Sequence, residues 1–236
     1  MEWHSAIEKI EPYVVRIATP SGSGTGFLVS HSTITSVCAV ATAAHVVDHA
    51  HYWEQPIRIE HTASGKSLLF RNHERAIVVD AEKDIAGLVI DKGDLPLPDK
   101  PFDITPEGKT LKNGIEIGWL GYPALPWQRL CFFSGRVSAF VSSLDAYLVD
   151  GVAINGVSGG PAFVILGDRI TLVGIVSAYI ANRATGETLP GVSLVRNIAP
   201  FRDYVKTFAS VDEAKKKEEP PGVPPPATST SGPRGS

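Results

Sequence analysis

Residues 155–161, Asn-Gly-Val-Ser-Gly-Gly-Pro, form a small-residue turn between two apolar runs and decide how the rest of the chain is interpreted. Ser158 stands at the tip of this turn with glycines on both sides. Because glycine has no side chain, another backbone can approach the Ser158 hydroxyl closely, and neighbouring backbone N–H groups can point at an oxygen beside it. A serine hydroxyl is a weak nucleophile until a base takes its proton. If Ser158 is a nucleophile, the chain must supply that base elsewhere.

Two other stretches supply the groups that Ser158 needs. His45 follows an apolar strand and the small residues 41–44, and Asp84 stands immediately before the apolar run 85–90. Histidine titrates nearest neutrality, so it can take the serine proton and return it to a leaving group. A carboxylate on the other ring nitrogen holds the required tautomer. Each signal is weak alone, but the order His, Asp, Ser on an all-β pattern is a strong one.

The strand signals fall into two halves separated by residues 95–101, which contain three prolines. Short β-branched runs divided by Gly, Pro, Asn, Asp and His are typical of an antiparallel sandwich or barrel. Proline cannot continue a strand ladder, so the separating segment is predicted to be a connector. Apolar residues at helical spacing predict a short helix before Pro12 and a second helix after Pro200.

Composition and charge exclude several functional classes. The 236 residues are 43% hydrophobic and 20% charged, which is ordinary for a globular protein of one large or two small domains. A net charge of −3 without a basic stripe argues against nucleic-acid binding. No apolar run reaches the roughly 18 residues that a membrane span needs. We therefore expect neither nucleic acid nor membrane as a partner.

The first residues carry neither the basic flank nor the apolar stretch of a secretory signal. Cys38 and Cys131 are far apart in sequence and too few for a disulfide-stapled scaffold, although a disulfide between them stays open. We expect a cytoplasmic, reduced protein unless a leader was removed from the sequence.

The residues described above resemble those of trypsin-like serine proteases of the chymotrypsin fold. The resemblance rests on residues 42–45 (Thr-Ala-Ala-His), 84–86 (Asp-Ile-Ala) and 156–161 (Gly-Val-Ser-Gly-Gly-Pro), and it extends over residues 13–200. Residues 23–29 (Ser-Gly-Thr-Gly-Phe-Leu-Val) and 121–123 (Gly-Tyr-Pro) are more similar to the bacterial intracellular and heat-shock branch than to secreted digestive enzymes.

The resemblance implies an all-β fold of two antiparallel six-stranded β-barrels, with the site in the cleft between them. The expected segments are an N-terminal helix at 1–12, a first barrel at 13–98, a connector at 99–112, a second barrel at 113–199, a C-terminal helix at 200–217 and a disordered Pro/Ser/Thr-rich tail at 218–236. The tail has almost no apolar bulk with which to build a core.

The resemblance also implies a serine endopeptidase that forms an acyl-enzyme on protein or peptide substrates, without cofactor or metal. Ser158 would be the nucleophile, His45 the general base and acid, and Asp84 the orienting carboxylate. The backbone N–H groups of Gly156 and Ser158 would form the oxyanion hole.

Two departures from the family pattern change the expected regulation. Val46 stands where secreted relatives carry a cysteine that bridges towards a position near Cys38, so that disulfide is missing. Val157 replaces the acidic residue that pairs with a newly cut N-terminus in zymogen-type relatives. We therefore expect no maturation by that ion pair. Whether the oxyanion loop is formed at rest or waits for an activating partner stays open.

The same correspondence places a specificity pocket beside Ser158. Val152 would form its floor, Ser177, Ala178 and Tyr179 one wall, and Gly191 the opposite wall. An apolar floor offers no partner to Lys or Arg, and burying an unpaired charge is costly. The sequence therefore predicts cleavage after small or medium aliphatic residues.

Three alternatives compete with this interpretation. His45 and His49 have the spacing of helical metal ligands, but Val46 stands where the catalytic glutamate of the zinc-protease pattern would be, and His49 and His51 are expected to be solvated loop residues. Cys131 could instead be the nucleophile, but it is expected to be an inert thiol in a buried strand. The serious rival is a protease-like fold that acts as a binding or scaffolding module without turnover.

Overall fold

The β-branched runs of the sequence form two antiparallel sheets in the computed structural model, which describes residues 1–98, 100, 102–106, 108–181 and 188–218. The first sheet has the strand order β5-β4-β1-β2-β3-β7-β6. Its strands are β1 (Val14–Thr19), β2 (Gly22–His31), β3 (Val37–Thr42), β4 (Ile57–His61), β5 (Lys66–Phe70), β6 (Arg75–Asp80) and β7 (Ile85–Asp91). Within the described strands no ladder joins β5 to β6, so this sheet is an open half-barrel.

The second sheet closes on itself, because β12 pairs with both β9 and β13. Its strands are β8 (Asp103–Ile104), β9 (Glu116–Gly121), β10 (Cys131–Val141), β11 (Ala146–Asp150), β12 (Pro161–Leu166), β13 (Arg169–Ala181) and β14 (Thr188–Asn197). Six of them form the closed barrel, and β8 adds a short parallel pairing to β13. The predicted all-β, chymotrypsin-like architecture is therefore confirmed, with one closed six-stranded barrel and one half-barrel.

Each sheet buries its own apolar face, and a third apolar cluster joins the two. Val14, Phe27 and Ile85 of the first sheet are in that joint cluster with Leu120 and Phe163 of the second. All five side chains are at most 5% exposed. Burial of this much apolar surface is the main force that holds the two sheets together. The loop after β3 and the loops before β7 and β12 meet at the boundary between the two sheets, called the seam below.

Both terminal helices occur where the spacing predicts them, as α1 (Trp3–Ile10) and α3 (Phe201–Glu218). α3 returns to the first sheet, where the Asp212 carboxylate accepts hydrogen bonds from Ser32 Oγ (2.6 Å) and from the backbone N–H of Thr33 (2.5 Å). These bonds hold the pKa of Asp212 below its ordinary value. The tail predicted to be disordered lies outside the described residues from position 219 onward.

The structure contains a third helix, α2 (Ala44–Tyr52), that the sequence did not predict. Its buried face consists of Ala44, Val47 and Ala50, which is too small an apolar stripe to stand out in sequence. The expectation that His49 and His51 lie on a loop is therefore wrong, since both lie on this helix. Among the described residues, no helix is long and apolar enough to cross a membrane.

Both cysteines are free thiols. Cys38 is buried in β3, and burial raises the pKa of its thiol to about 12. Cys131 begins β10 and is only half-buried, as are the two residues after it, so the expectation that it lies in a buried strand is wrong.

Candidate active site

His45 is held at the seam by the short passage from strand to helix. β3 ends at Thr42 and α2 begins at Ala44, so His45 lies in the first turn of the helix. Its backbone N–H donates to Asp84 Oδ1 (3.0 Å), and its ring Nδ1 lies 3.0 Å from both carboxylate oxygens of Asp84. The imidazole is therefore fixed through one nitrogen. The side chain remains 47% exposed, so the ring is accessible to a substrate.

Asp84 occupies the tight turn between β6 and β7. Its backbone has a φ of +50°, a left-handed conformation that Asp and Asn tolerate better than most residues. The turn is closed by the N–H of Asp84, which donates to Ala81 O, and by the N–H of Lys83, which donates to Asp80 Oδ1. This conformation turns the carboxylate towards His45. Only 17% of the Asp84 side chain is exposed.

Ser177, on β13 of the second sheet, links the pair to Ser158. Its hydroxyl donates a short hydrogen bond to Asp84 Oδ2. Its backbone carbonyl accepts a hydrogen bond from Ser158 Oγ (2.9 Å). The three residues predicted from the sequence are thus joined through a fourth, which was predicted only as a pocket wall. No sequence signal marks this role, because a lone serine in a strand is common.

The hydrogen bonds shift the pKa values of the pair in opposite directions. The bond to Asp84 raises the pKa of His45 above 6.5, although burial of the ring acts the other way. Burial works to raise the pKa of Asp84, but the hydrogen bonds from His45 and Ser177 outweigh it and the net pKa is lowered. The carboxylate is therefore charged at neutral pH and stabilises the protonated form of the imidazole.

Ser158 is half-buried, and its hydroxyl points to the Ser177 carbonyl. Within the described part of the chain, no hydrogen bond joins Ser158 Oγ to the His45 ring. The turn itself is anchored on β13, because the N–H of Gly159 donates to Val176 O (2.7 Å) and the N–H of Val176 donates to Gly160 O (2.9 Å). The serine turn is therefore fixed while its hydroxyl remains directed away from the histidine.

The backbone N–H groups of Gly156 and Ser158 are available to donate to an added group. The Asn155 carbonyl accepts from the N–H of Ala124 (2.7 Å), and every described peptide bond is trans. Since a trans peptide directs N–H opposite to C=O, the N–H of Gly156 points away from Ala124. Among the described residues, no group accepts from the N–H of Gly156 or of Ser158. Gly156 has a φ of +90°, and a side chain there would collide with the Tyr122 carbonyl.

Thr25 of β2 holds the serine turn from the other sheet. Its hydroxyl is fully buried, donates to Gly156 O (2.8 Å) and accepts from the N–H of Tyr122 (2.9 Å). Its backbone N–H donates to Ser158 O (2.8 Å), and its carbonyl accepts from Thr42 Oγ1 (2.7 Å). One residue therefore fixes both ends of the segment that carries the two available N–H groups.

Val157 anchors the same segment through apolar packing. Its side chain is fully buried in the core of the second sheet, against Trp119 and Ile117. The packing is close, because a Cβ on Gly121 would lie 2.7 Å from Val157 Cγ1. The position that carries an acid in zymogen-type relatives is here part of the core. Burial, rather than an ion pair, holds the backbone at this point.

Two of the predicted pocket residues pair through the backbone with neighbours of the other predicted pocket residues. The N–H of Gly151 donates to Gly191 O (2.9 Å), and β13 pairs with β14 so that Tyr179 lies opposite Ser193. Val152, the predicted floor, has half of its surface exposed. The side chains of Ala178 and Tyr179 lie outside what the structure describes.

The metal alternative gains no support from the geometry. Across the described ranges, no three His, Cys, Asp or Glu side chains are grouped as metal ligands would be. His45 directs its Nδ1 to Asp84 rather than towards His49.

Comparisons with known proteins identify the family and the fold. A family model for the trypsin-like peptidase domain matches residues 24–175. Among solved structures, the serine endoprotease from Yersinia pestis superposes with a TM-score of 0.64 at 21% identity, covering 89% of this chain and 67% of that one. The HtrA-type protease AlgW with a tripeptide gives a TM-score of 0.62 at 20% identity, covering 91% of this chain and 65% of that one.

An inactive serine-to-alanine variant of Rv3671c from M. tuberculosis H37Rv gives a TM-score of 0.57 at 20% identity, covering 92% of both chains. No curated protein matches the sequence significantly. At these identities the structural likenesses show the chymotrypsin-like fold alone.

Proposed function

The chain belongs to the trypsin-like peptidase family and is a serine protease, and from that premise we propose that it is an endopeptidase whose catalytic triad is Ser158, His45 and Asp84. One observation carries the proposal. Hydrogen bonds join the His45 ring to the Asp84 carboxylate, that carboxylate to the Ser177 hydroxyl, and the Ser177 carbonyl to the Ser158 hydroxyl, across the seam of the two sheets.

The proposed reaction begins with a change of rotamer at Ser158. The hydroxyl leaves the Ser177 carbonyl and donates to His45 Nε2, the ring nitrogen not bound to Asp84. Oγ then attacks the scissile carbonyl carbon while Nε2 takes its proton. The freed Ser177 carbonyl can accept an N–H of the substrate backbone. Asp84 holds the tautomer and stabilises the imidazolium that forms.

The remaining steps reuse the same groups. The N–H groups of Gly156 and Ser158 donate to the oxyanion of the tetrahedral intermediate. As the C–N bond breaks, His45 returns the proton to the leaving amine, and the acyl group stays on Ser158. Water then attacks the acyl carbon, gives its proton to His45, and releases the acid with regeneration of the Ser158 hydroxyl.

Labelling by a fluorophosphonate probe, with Ser158→Ala as control, tests the proposal. We expect labelling of the wild-type protein that depends on Ser158, because the probe reacts with an activated serine and not with an ordinary hydroxyl. No Ser158-dependent labelling under any condition would favour the scaffolding module. Labelling that requires an added protein would favour an activating partner that moves the Ser158 hydroxyl onto His45.

The acid limb of the pH profile is expected above the ordinary histidine value of 6.5, because the hydrogen bond to Asp84 raises the pKa of His45. The protonated imidazole cannot accept the serine proton, so activity falls as pH decreases through this pKa. The measurement is kcat/KM for a fluorogenic peptide from pH 5 to 9. A midpoint at or below about 6 would contradict the assignment of His45.

Thr25→Val is expected to lower kcat about tenfold or more with little change in KM, since the oxyanion donors act mainly in the transition state. Valine keeps the shape of threonine but leaves the buried Gly156 O and Tyr122 N–H unpaired, which also destabilises the fold by about 1–3 kcal/mol. Thr25→Ser should restore kcat. The control is Thr110→Val at an exposed threonine. Equal losses of kcat in Thr25→Val and Thr25→Ser would show that the Thr25 hydroxyl does not hold the oxyanion donors in place.

We expect a peptide library to show cleavage after small or medium aliphatic residues, because the proposed pocket floor Val152 offers no carboxylate to a basic side chain. Val152→Asp should raise the ratio of cleavage after Lys or Arg to cleavage after Ala or Val at least tenfold. Val152→Asn is the uncharged control. Wild-type cleavage mainly after Lys or Arg would refute this pocket.

A further inference from the structure

A cavity of about 830 Å³ lies away from the proposed triad, between the connector, the β12–β13 turn and α3. None of the residues that line it belongs to the triad, the serine turn or the proposed pocket. Its volume is typical of sites that hold a small organic molecule. The charge and polarity of its walls indicate which kind of molecule.

The described lining of the cavity is rich in basic residues. Asp103 is the single carboxylate among the described lining residues. The basic lining residues are Lys100, Lys109, Arg169, Arg202 and Lys206. Of these, Lys206 pairs with Asp203 (3.4 Å), and the other four form no ion pair within the described part of the chain. A concave site with several cations that have no ion-pair partner among the described residues attracts anions.

Arg202 is the most constrained of these cations. One terminal nitrogen of its guanidinium donates to Ile104 O (3.4 Å), which fixes the group at the base of α3. Its Nε is buried, and no acceptor among the described residues takes its proton. A buried donor without an acceptor is unfavourable, so a bound anion at this position would be stabilised.

Apart from Thr171, the rest of the described lining is apolar. Phe102, Ile104, Leu166 and Val205 contribute side chains beside the basic groups. Leu166 is 57% exposed. An inorganic anion would leave these surfaces in water, whereas an anion with a hydrocarbon body would cover them.

We propose that the cavity between the connector, the β12–β13 turn and α3 binds a small amphiphilic anion, a carboxylate or phosphate carried on an apolar chain. The anionic head lies among Arg202, Lys109 and Arg169, and the apolar body lies against Phe102 and Val205. This site does not depend on the proposed triad.

Isothermal titration calorimetry with decanoate and decyl phosphate, below their micellar concentrations, tests the site. We expect saturable binding of one or both to the wild-type protein. Decylammonium carries the same chain with the opposite charge, and inorganic phosphate carries the charge without a chain. Both should bind at least tenfold more weakly. The proposal would be overturned if decylammonium or inorganic phosphate bound as tightly as the amphiphilic anions. It would also be overturned if neither decanoate nor decyl phosphate bound.

Variants locate the site. Lys109→Gln and Arg169→Gln change exposed side chains and should each weaken binding about tenfold without affecting the fold. Arg202→Gln should weaken it further. The matched control Lys112→Gln removes an exposed lysine outside the lining and should leave the affinity unchanged. Unaltered binding in both Lys109→Gln and Arg169→Gln, or an equal loss in Lys112→Gln, would place the anion elsewhere and refute this assignment.

Discussion

Replacing Ser158 with alanine is expected to lower kcat on a peptide substrate by on the order of 10⁴- to 10⁶-fold. Alanine lacks the oxygen that would attack the scissile carbonyl, so no acyl-enzyme can form. The fold should be retained, because the one hydrogen bond that the described structure gives this hydroxyl is to the Ser177 carbonyl. Steady-state hydrolysis of a fluorogenic peptide measures the loss, and the melting temperature checks the fold.

Ser134→Ala provides the matched control, since Ser134 is an exposed serine on the same barrel. It should retain kcat within a factor of about two, as surface substitutions away from special features usually change little. A Ser158→Ala variant that kept more than about one per cent of wild-type kcat would rule out Ser158 as the nucleophile.

Asp84→Asn is expected to lower kcat near neutral pH by on the order of 10⁴-fold while leaving the turn intact. Asparagine tolerates the left-handed backbone that Asp84 adopts at a φ of +50°. Its neutral amide can no longer stabilise the imidazolium, and an NH₂ group facing Nδ1 favours the tautomer that cannot accept the serine proton. Kinetics on the fluorogenic peptide should show the loss in kcat rather than in KM.

The neighbouring Asp80 supplies the control for this substitution. Asp80 Oδ1 accepts from the N–H of Lys83 in the same turn, and asparagine keeps that acceptor oxygen. Asp80→Asn should therefore change kcat by only a few fold. If Asp80→Asn and Asp84→Asn lost activity equally, the effect would come from the shape of the turn and not from the charge beside His45.

In the proposed active form, the Ser158 hydroxyl turns from the Ser177 carbonyl to the His45 ring. The two backbone N–H groups before and at Ser158 are already available, held by Thr25, Ala124 and the buried Val157. Only the Ser158 hydroxyl points elsewhere. We therefore propose that substrate binding, which competes for the Ser177 carbonyl, turns the Ser158 hydroxyl onto His45.

Local sequence patterns predicted the two halves of the fold and both terminal helices, because the spacing of apolar residues and the prolines act over a few neighbouring positions. The same patterns missed α2, whose buried face consists of small residues. They also missed the left-handed turn at Asp84. These features depend on what the segment packs against, which no local pattern contains.

What the sequence alone determined about this protein is its family, its two-sheet architecture and the three residues proposed as the triad, since these depend on residue type and chain order. The tertiary structure alone decided the contacts across the seam. Thr25 and Gly156 are 131 positions apart, and Ser177 and Asp84 are 93 apart. Hydrogen bonds at such separations form only after the chain has folded, because packing of the two sheets is what brings their partners within reach.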